Sequence, residues 1–259
     1  MTADGGILSG KVRRLRLRGK TSLPGVKGVP KGAAPKPRMG GFQLKHRHKE
    51  YVVVKGGLDA EMLDRLETFL KRKRPQAAKM KNEGGDSDDE RKARYDDRDS
   101  LVSWFNCEDE CSWLHDQMKA VIRDVGNVVW PMLPADASGE LKCEYELMQY
   151  SVYGPKQHFQ AWHQDAFADG HDPEDARQIT LVVMLSDRKA YTGGALQAKL
   201  PPPSGEKGRK LVRSIPMDAG DIVVFPAKEL VHRVSMVNSG IRKTLVFWAF
   251  DRMSCKTGR

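Results

Sequence analysis

The chain has 259 residues and a mass of 29.1 kDa, enough for one domain of good size with additional tails. Charged residues make up 30% of it and aromatic residues 7%, and no run approaches the roughly 18 apolar residues that a membrane-spanning helix requires. We therefore expect a soluble protein without a transmembrane segment. Four cysteines do not make a disulfide framework, which favours a reducing compartment, the cytoplasm or nucleus, over secretion.

The net charge of +10 is concentrated at the N-terminus. Residues 1–50 contain 13 lysines and arginines against Asp4 and Glu50, so the remaining 209 residues are close to neutral. Residues 1–49 also contain few large apolar side chains, which predicts a disordered basic tail. Such a tail could contact an acidic partner, nucleic acid or a membrane surface, or belong to an organelle transit peptide. A solvated tail without a specific partner is the alternative.

A single domain is predicted to follow the tail, over residues 50–253. Its first part, residues 50–135, is expected to form a helical support, because apolar side chains recur at helical spacing over 59–73 and 108–130. Residues 75–100 are polar and strongly charged, and their composition predicts a mobile acidic loop between these helices.

The pattern changes near residue 140 to short β-rich segments separated by turn residues. Eight strands are predicted, over residues 142–153, 157–166, 177–185, 194–200, 210–217, 221–225, 229–237 and 241–250. Strands in this number, with turn signals and no long helix among them, favour a double-sheet jelly roll. The predicted fold is thus mainly β with N-terminal helices, and its jelly-roll core covers residues 140–253.

Candidate metal ligands lie on two of these strands. His163 and Asp165 are two residues apart, a spacing that puts both side chains on one face of a strand, and His232 follows on a distant strand. Two histidines and one carboxylate suit a facial metal site with open positions, as in non-haem Fe(II) oxygenases. Arg242, on the next strand, could fix the carboxylate of an acidic co-substrate by a planar, bidentate contact. Each of these residue types alone is more often an ordinary surface residue than a ligand. The hypothesis therefore depends on their positions on the predicted strands.

An ordered set of short motifs covers about residues 145–252. Its members are Tyr153-Gly154-Pro155, Trp162-His163-Gln164-Asp165-Ala166, Arg177-Gln178-Ile179-Thr180, Tyr191-Thr192-Gly193-Gly194-Ala195-Leu196, Ala219-Gly220-Asp221, Leu230-Val231-His232-Arg233-Val234 and Gly240-Ile241-Arg242-Lys243-Thr244-Leu245. In this order they resemble the 2-oxoglutarate- and Fe(II)-dependent dioxygenases, in particular the prolyl 4-hydroxylase-like branch. The resemblance implies a double-stranded β-helix (jelly roll), Fe(II) held by His163, Asp165 and His232, 2-oxoglutarate as co-substrate, and L-ascorbate as a further cofactor.

The resemblance also implies roles for residues around the co-substrate. Arg242 would pair with the distal carboxylate of 2-oxoglutarate, and Thr244, on the same strand face, could add a hydroxyl contact. Tyr153 lies where relatives often place a tyrosine that hydrogen-bonds this carboxylate. Trp248, six residues past Arg242, could form a wall of the pocket, with a role as a core aromatic as the alternative. No catalytic residue is predicted beyond the metal site.

The expected reaction is hydroxylation of a C–H bond, with a prolyl residue of a peptide or protein as the expected substrate. A small molecule or free amino acid is the alternative. A nucleic-acid demethylase would carry a second arginine six residues after Arg242, where this chain has Trp248. Two readings from outside the family are a catalytically silent jelly-roll binding module and a cupin-type enzyme without 2-oxoglutarate. The complete ligand set argues against the first, and Arg242 against the second.

Overall fold

The computed structural model describes residues 38–39, 41–78, 97–166, 177–202 and 210–251. Its strands are Arg38–Met39 (β1), Phe42–Arg47 (β2), Val52–Val54 (β3), Gln76–Ala77 (β4), Arg98–Asp99 (β5), Leu101–Phe105 (β6), Glu144–Tyr145 (β7), Met148–Tyr153 (β8), His158–His163 (β9), Arg177–Met184 (β10), Tyr191–Gly193 (β11), Leu196–Leu200 (β12), Leu211–Ser214 (β13), Ile222–Pro226 (β14), His232–Val234 (β15), Val237–Gly240 (β16) and Arg242–Phe250 (β17). Its helices are Ala60–Leu70 (α1), Cys107–Glu110 (α2), Ser112–Val121 (α3) and Asn127–Val129 (α4), with a π-helical turn at Ile122–Gly126.

Within the described ranges the strands form two main sheets. The larger has the order β1-β2-β3-β14-β10-β17-β8-β6-β4, with β7 beside β17, and the smaller has the order β13-β12-β15-β9-β5. Val223 and Phe225 of β14 and Leu196 and Ala198 of β12 belong to one buried cluster, so the two sheets pack face to face. This arrangement confirms the predicted jelly roll.

The larger sheet is covered on both faces, and strand alternation decides which face a side chain reaches. On β17, Leu245 and Phe247 pack in the cluster that contains the residues of α3, whereas Val246 packs in the cluster between the sheets. Arg242 and Thr244 share the parity of Val246 and are 1% and 2% exposed. They therefore point into the space between the two sheets.

The two predicted helices are present, with one interruption. α1 lies within residues 59–73 and begins at Asp59, whose carboxylate accepts the backbone N–H of Met62 at 2.9 Å. The helix predicted over 108–130 is divided into α2, α3, the π-helical turn and α4, because Cys111 takes a non-helical conformation (φ −154°) between α2 and α3. No helix of the described segments is both long and apolar enough to cross a bilayer.

The predicted domain boundaries are wrong at three places. β1 and β2 lie inside residues 1–49, and Leu44 of β2 is 2% exposed, so the end of this segment is part of the larger sheet. β4 and β5 lie inside residues 75–100, and β6 follows within the expected helical support. These strands are short or polar, and their pairing with distant partners leaves no local periodicity to detect. The rest of the predicted tail and loop, residues 1–37 and 79–96, lies outside the described residues.

Candidate metal centre

The three predicted ligands converge on the smaller sheet. His163 ends β9 and His232 begins β15, and the two residues stand directly opposite each other in the antiparallel pairing. Asp165 follows two residues later, and its backbone N–H donates to the carbonyl oxygen of Ala227 at 3.0 Å. One possible ligand atom from each of the three side chains lies within 4.8 Å of the others. The structure therefore brings these predicted residues together.

Backbone carbonyls orient both imidazole rings. Nδ1 of His163 lies 3.0 Å from the carbonyl oxygen of Ala161, and Nδ1 of His232 lies 3.0 Å from that of Leu230. Since a carbonyl oxygen can only accept, each Nδ1 carries the proton and each Nε2 presents a lone pair. These Nε2 atoms lie 3.9 Å and 3.8 Å from Oδ1 of Asp165. Histidines that ligate metals characteristically donate their other N–H group in this way.

The Asp165 carboxylate is fixed by contacts that sequence reasoning missed. The Thr180 hydroxyl donates to Oδ2 at 2.8 Å, which leaves Oδ1 facing the two histidines. Arg177 donates through Nη1 to the backbone carbonyl of Asp165 at 3.1 Å and binds the Glu146 carboxylate through two further contacts of 2.6 Å. Arg177 thus supports the loop that carries Asp165.

The protonation states favour a bound cation. Burial and the adjacent His232 lower the pKa of His163 to about 4, so this ring is neutral near pH 7. Burial opposes ionisation of Asp165, but His232, His163 and the Thr180 hydroxyl together hold the pKa of its carboxyl below the usual value. An ionised carboxylate beside imidazole lone pairs is a donor set suited to a divalent transition-metal ion.

Aromatic rings enclose the two histidines. The Phe159 ring stacks on His163, with centroids 3.9 Å apart and planes inclined by 14°, and the Phe225 ring meets His232 edge-on at 5.0 Å. The guanidinium of Arg98 lies 4.7 Å from the Phe159 centroid, and its Nη2 donates to Gln149 Oε1 at 3.2 Å. Arg98 falls in the segment predicted as a mobile loop, so the sequence carried no signal for this contact.

A buried arginine with unused hydrogen-bond donors lies between the sheets. Nη1 of Arg242 donates to the Thr244 hydroxyl at 3.4 Å, while Nε and Nη2 are buried without a partner among the described residues. Its guanidinium carbon lies 5.3 Å from the ring centroid of Tyr153, the residue opposite on β8. Burial lowers the pKa of Arg242, and Tyr153 and Tyr191 oppose that shift. Because an unpaired buried guanidinium is costly, this position fits the carboxylate of an acidic ligand.

Trp248 lies away from this arginine. It is six residues further along β17, about 20 Å at the rise of an extended strand. Its partner across the sheet is Thr180, and its ring stacks on Trp104 at 5.8 Å and below the Arg177 guanidinium at 4.2 Å. The structure thus brings Tyr153 and Thr244 to Arg242, and places Trp248 beside the residues that support Asp165.

A jelly roll that carries two histidines, a carboxylate and a buried arginine has the architecture of the non-haem Fe(II) oxygenases. Residues 148–250 match the family model described as the 2OG-Fe(II) oxygenase superfamily. This segment is similar to that superfamily. The matched segment contains all seven predicted site residues.

Individual proteins also resemble parts of this chain. A PKHD-type hydroxylase from Cupriavidus pinatubonensis is 34% identical over 80 residues, which are 29% of this chain and 31% of that protein. The chain thus aligns with about a third of the length of this curated relative. A prolyl-4-hydroxylase from Pseudomonas putida has 18% identity and a TM-score of 0.51 over 78% of this chain and 93% of its own. A prolyl hydroxylase from Trichoplax adhaerens has 13% identity and a TM-score of 0.55 over 82% and 88%, so the fold is shared.

Proposed function

We propose that the protein is an Fe(II)- and 2-oxoglutarate-dependent dioxygenase that hydroxylates a C–H bond, with a prolyl residue of a peptide or protein as the substrate. The observation that carries the proposal is Arg242, whose Nε and Nη2 have no hydrogen-bond partner among the described residues, in a fold whose His163, Asp165 and His232 converge on the facing smaller sheet. The three ligand side chains suit a cation, and the Arg242 guanidinium suits a carboxylate. Together they match the two components that this superfamily requires.

Each residue has a defined part in this proposal. His163, Asp165 and His232 hold Fe(II), which when bound supplies the oxygen activation coupled to oxidation of 2-oxoglutarate. Arg242 pairs with the distal carboxylate of 2-oxoglutarate, with Thr244 and Tyr153 as further contacts. These side chains supply orientation and exclusion of water, and the cofactor supplies the difficult chemistry.

The support around the ligands adds rigidity. Thr180 holds one carboxylate oxygen of Asp165, and the carbonyls of Ala161 and Leu230 hold the two imidazole rings. Trp248 lies beside Arg177 and forms a wall on the Asp165 side of the site. It does so together with Trp104, which is 44% exposed. L-ascorbate as a reductant stays a prediction, as do the contact of the basic tail with an acidic partner or nucleic acid and the compartment.

A peptidyl substrate is supported by the solved relatives. The Trichoplax protein is described as a complex with a peptide fragment of the hypoxia inducible factor oxygen degradation domain, and the Pseudomonas protein as a prolyl-4-hydroxylase. The exposed side chain of Trp104, which stacks on Trp248, offers an apolar surface on which a ring could pack. A free amino acid or another small molecule is the second candidate, because such a substrate would need only the space around the metal centre and no groove for a peptide chain.

The proposal is tested by cofactor binding and turnover. Anaerobic addition of Fe(II) and 2-oxoglutarate should produce a weak metal-to-ligand absorption band, and aerobic incubation should yield succinate. Asp165→Ala should abolish both signals, while Asp64→Ala, at an exposed position of α1, should leave both intact with an unchanged circular dichroism spectrum. Retention of both signals in Asp165→Ala would overturn the metal assignment. Binding of iron and 2-oxoglutarate without any succinate would favour the silent binding module.

Substrate identity needs a separate screen. Proline-containing peptides and free amino acids are incubated with the iron-loaded protein and 2-oxoglutarate, and the masses of the products are measured by mass spectrometry. A gain of one oxygen atom in a peptide, located at proline by fragmentation, supports the prolyl assignment. Oxygen gain only in free amino acids would establish the second candidate.

A further inference from the structure

A cavity lies at the free edge of the smaller sheet. It has a volume of about 640 Å³ and is bordered by β13, the end of β12 and the connection between β2 and β3. Its lining includes His46, His48, Lys49, Tyr51 and Arg213, and none of the described residues that line it is acidic. Lys49 belongs to the basic first 50 residues, whereas Arg213 comes from the part of the chain that is close to neutral.

The edge strand β13 is unusually open. All four of its residues are exposed, and in the described part of the chain it pairs only with β12. Its exposed side chains include Leu211 and Val212, at 37% and 46%. An edge strand presents unpaired backbone N–H and C=O groups, which can accept an extended peptide as an additional strand. Pro201, Pro202 and Pro216 flank the cavity and confine this open edge to a short segment.

Strand register fixes the direction of Arg213. This residue stands opposite Ala198, which is buried between the sheets, so its side chain points from the smaller sheet toward the larger one. Ala198 in turn stands opposite His232, and His232 opposite His163. Arg213 is therefore two strands away from a metal-ligand position, about 10 Å at the spacing of paired strands. It has no ion-pair partner among the described residues, and Lys49, 72% exposed, has only a loose contact with Glu50 at 3.4 Å.

We propose that this cleft docks an extended acidic peptide segment, which adds to β13 as a strand and places carboxylate side chains against Arg213 and Lys49. The backbone edge supplies the main-chain pairing, and the two cations supply the preference for acidic side chains. A single-stranded nucleic acid fits less well. The Tyr51 ring is 3% exposed and stacks on His46 and His48 at centroid distances of 5.4 Å each, so that ring is not available to stack on a base.

The docking site goes beyond the proposed oxygenase activity and does not depend on it. Binding is therefore measured on the full-length, metal-free protein by fluorescence anisotropy, with a labelled peptide of about ten residues that alternates glutamate with valine or threonine. Matched probes replace every glutamate by glutamine, or methylate alternate backbone nitrogens to prevent strand pairing. A labelled single-stranded oligothymidine of equal length serves as the nucleic-acid probe.

The proposal predicts that the acidic peptide binds, and that the glutamine and N-methyl versions bind about tenfold more weakly or worse. Arg213→Glu combined with Lys49→Glu should weaken binding of the acidic peptide to a similar extent. Arg72→Glu combined with Lys142→Glu makes the same change of net charge at exposed positions elsewhere and should leave binding unchanged.

Three outcomes would overturn the proposal. Equal loss of binding in both double variants would mean non-specific attraction by net charge. Tighter binding of oligothymidine than of the acidic peptide, lost in the cleft variant, would assign the cleft to nucleic acid. Full binding of the N-methyl peptide would rule out strand addition. Circular dichroism spectra of both double variants, which should match that of the unmodified protein, exclude misfolding as the cause of a loss.

Discussion

The larger sheet separates two buried layers that share their strands but differ in chemistry. Toward the helices, β17 contributes Leu245, Phe247 and Ala249, whereas toward the smaller sheet it contributes Arg242 and Thr244. Phe247 and Arg242 are each 1% exposed. Burial alone therefore does not separate the supporting layer from the functional one. The difference lies in unused hydrogen-bond donors, which are costly unless a ligand completes them.

The largest effect should come from the supporting layer. Phe247 stacks on Tyr145 at 5.3 Å and meets His115 edge-on at 5.7 Å. Phe247→Ala should lower the free energy of unfolding by roughly 3–5 kcal/mol, because it leaves a cavity in a packed core. Urea unfolding measures this loss, and calorimetric titration of the folded variant should show unchanged affinity for 2-oxoglutarate. A selective loss of 2-oxoglutarate affinity would contradict the division between the layers.

The functional layer should respond in the opposite way. Arg242→Met should weaken 2-oxoglutarate binding by roughly 100-fold, because the carboxylate loses its buried partner. Its unfolding free energy should stay unchanged or rise, since an unpaired buried charge is removed. Titration of the metal-loaded protein and urea unfolding measure the two quantities. Arg123→Met, on an exposed arginine of the π-helical turn, is the matched control, and destabilisation by Arg242→Met alone would argue for a structural role.

A smaller effect is expected from the residue that holds Asp165. Thr180→Val removes the 2.8 Å hydrogen bond to Oδ2 with little change in shape. Metal affinity should fall by about tenfold, as is common when a supporting contact to a ligand is lost. Competition with a coloured chelator measures this affinity. Thr192→Val removes an exposed hydroxyl contact to Ser239 on the separate β11–β16 pair and should have no effect on metal affinity. Equal affinities in the two variants would mean that Asp165 needs no such support.

The last prediction concerns the pH dependence of stability. The pKa of His163 falls from 6.5 in the unfolded chain to about 4 in the folded one, so between these values the unfolded chain binds more protons. The contribution of His163 to stability is therefore present above pH 6.5 and is lost as the pH falls toward 4. Urea unfolding of the metal-free protein at several pH values should show this slope, and His163→Gln should reduce it. An identical slope in the variant would assign it to other groups.

Local patterns were sufficient for much of the fold. The eight predicted strands correspond to β7–β10, β12–β15 and β17, whereas β11 and β16 were missed. The strand parity of Arg242 and Thr244 also led to the correct face, whereas Asp165, predicted on the same strand as His163, follows the end of β9. Tyr150, three residues before Tyr153 on β8, packs toward the helices on the opposite face.

Other features depend on partners far away in the chain. Thr180 and Arg177 act on Asp165 through contacts across 15 and 12 residues, and Arg177 also binds Glu146. No sequence motif predicts such contacts, because they depend on the register between strands. β2 and β6 were missed for the same reason, since their polar flanks resemble loops until β3 and β8 pair with them.

The pairing of His163 with His232 across β9 and β15 has a consequence for folding. The two residues are far apart in sequence, so the proposed metal centre forms only when distant strands have met, a step that is slow in topologies dominated by non-local pairing. A metal ion bound there would select the native state by mass action, by about 2.7 kcal/mol at a concentration of 100 times its Kd. The supply of iron would then set the lifetime of the folded chain as well as its catalytic capacity.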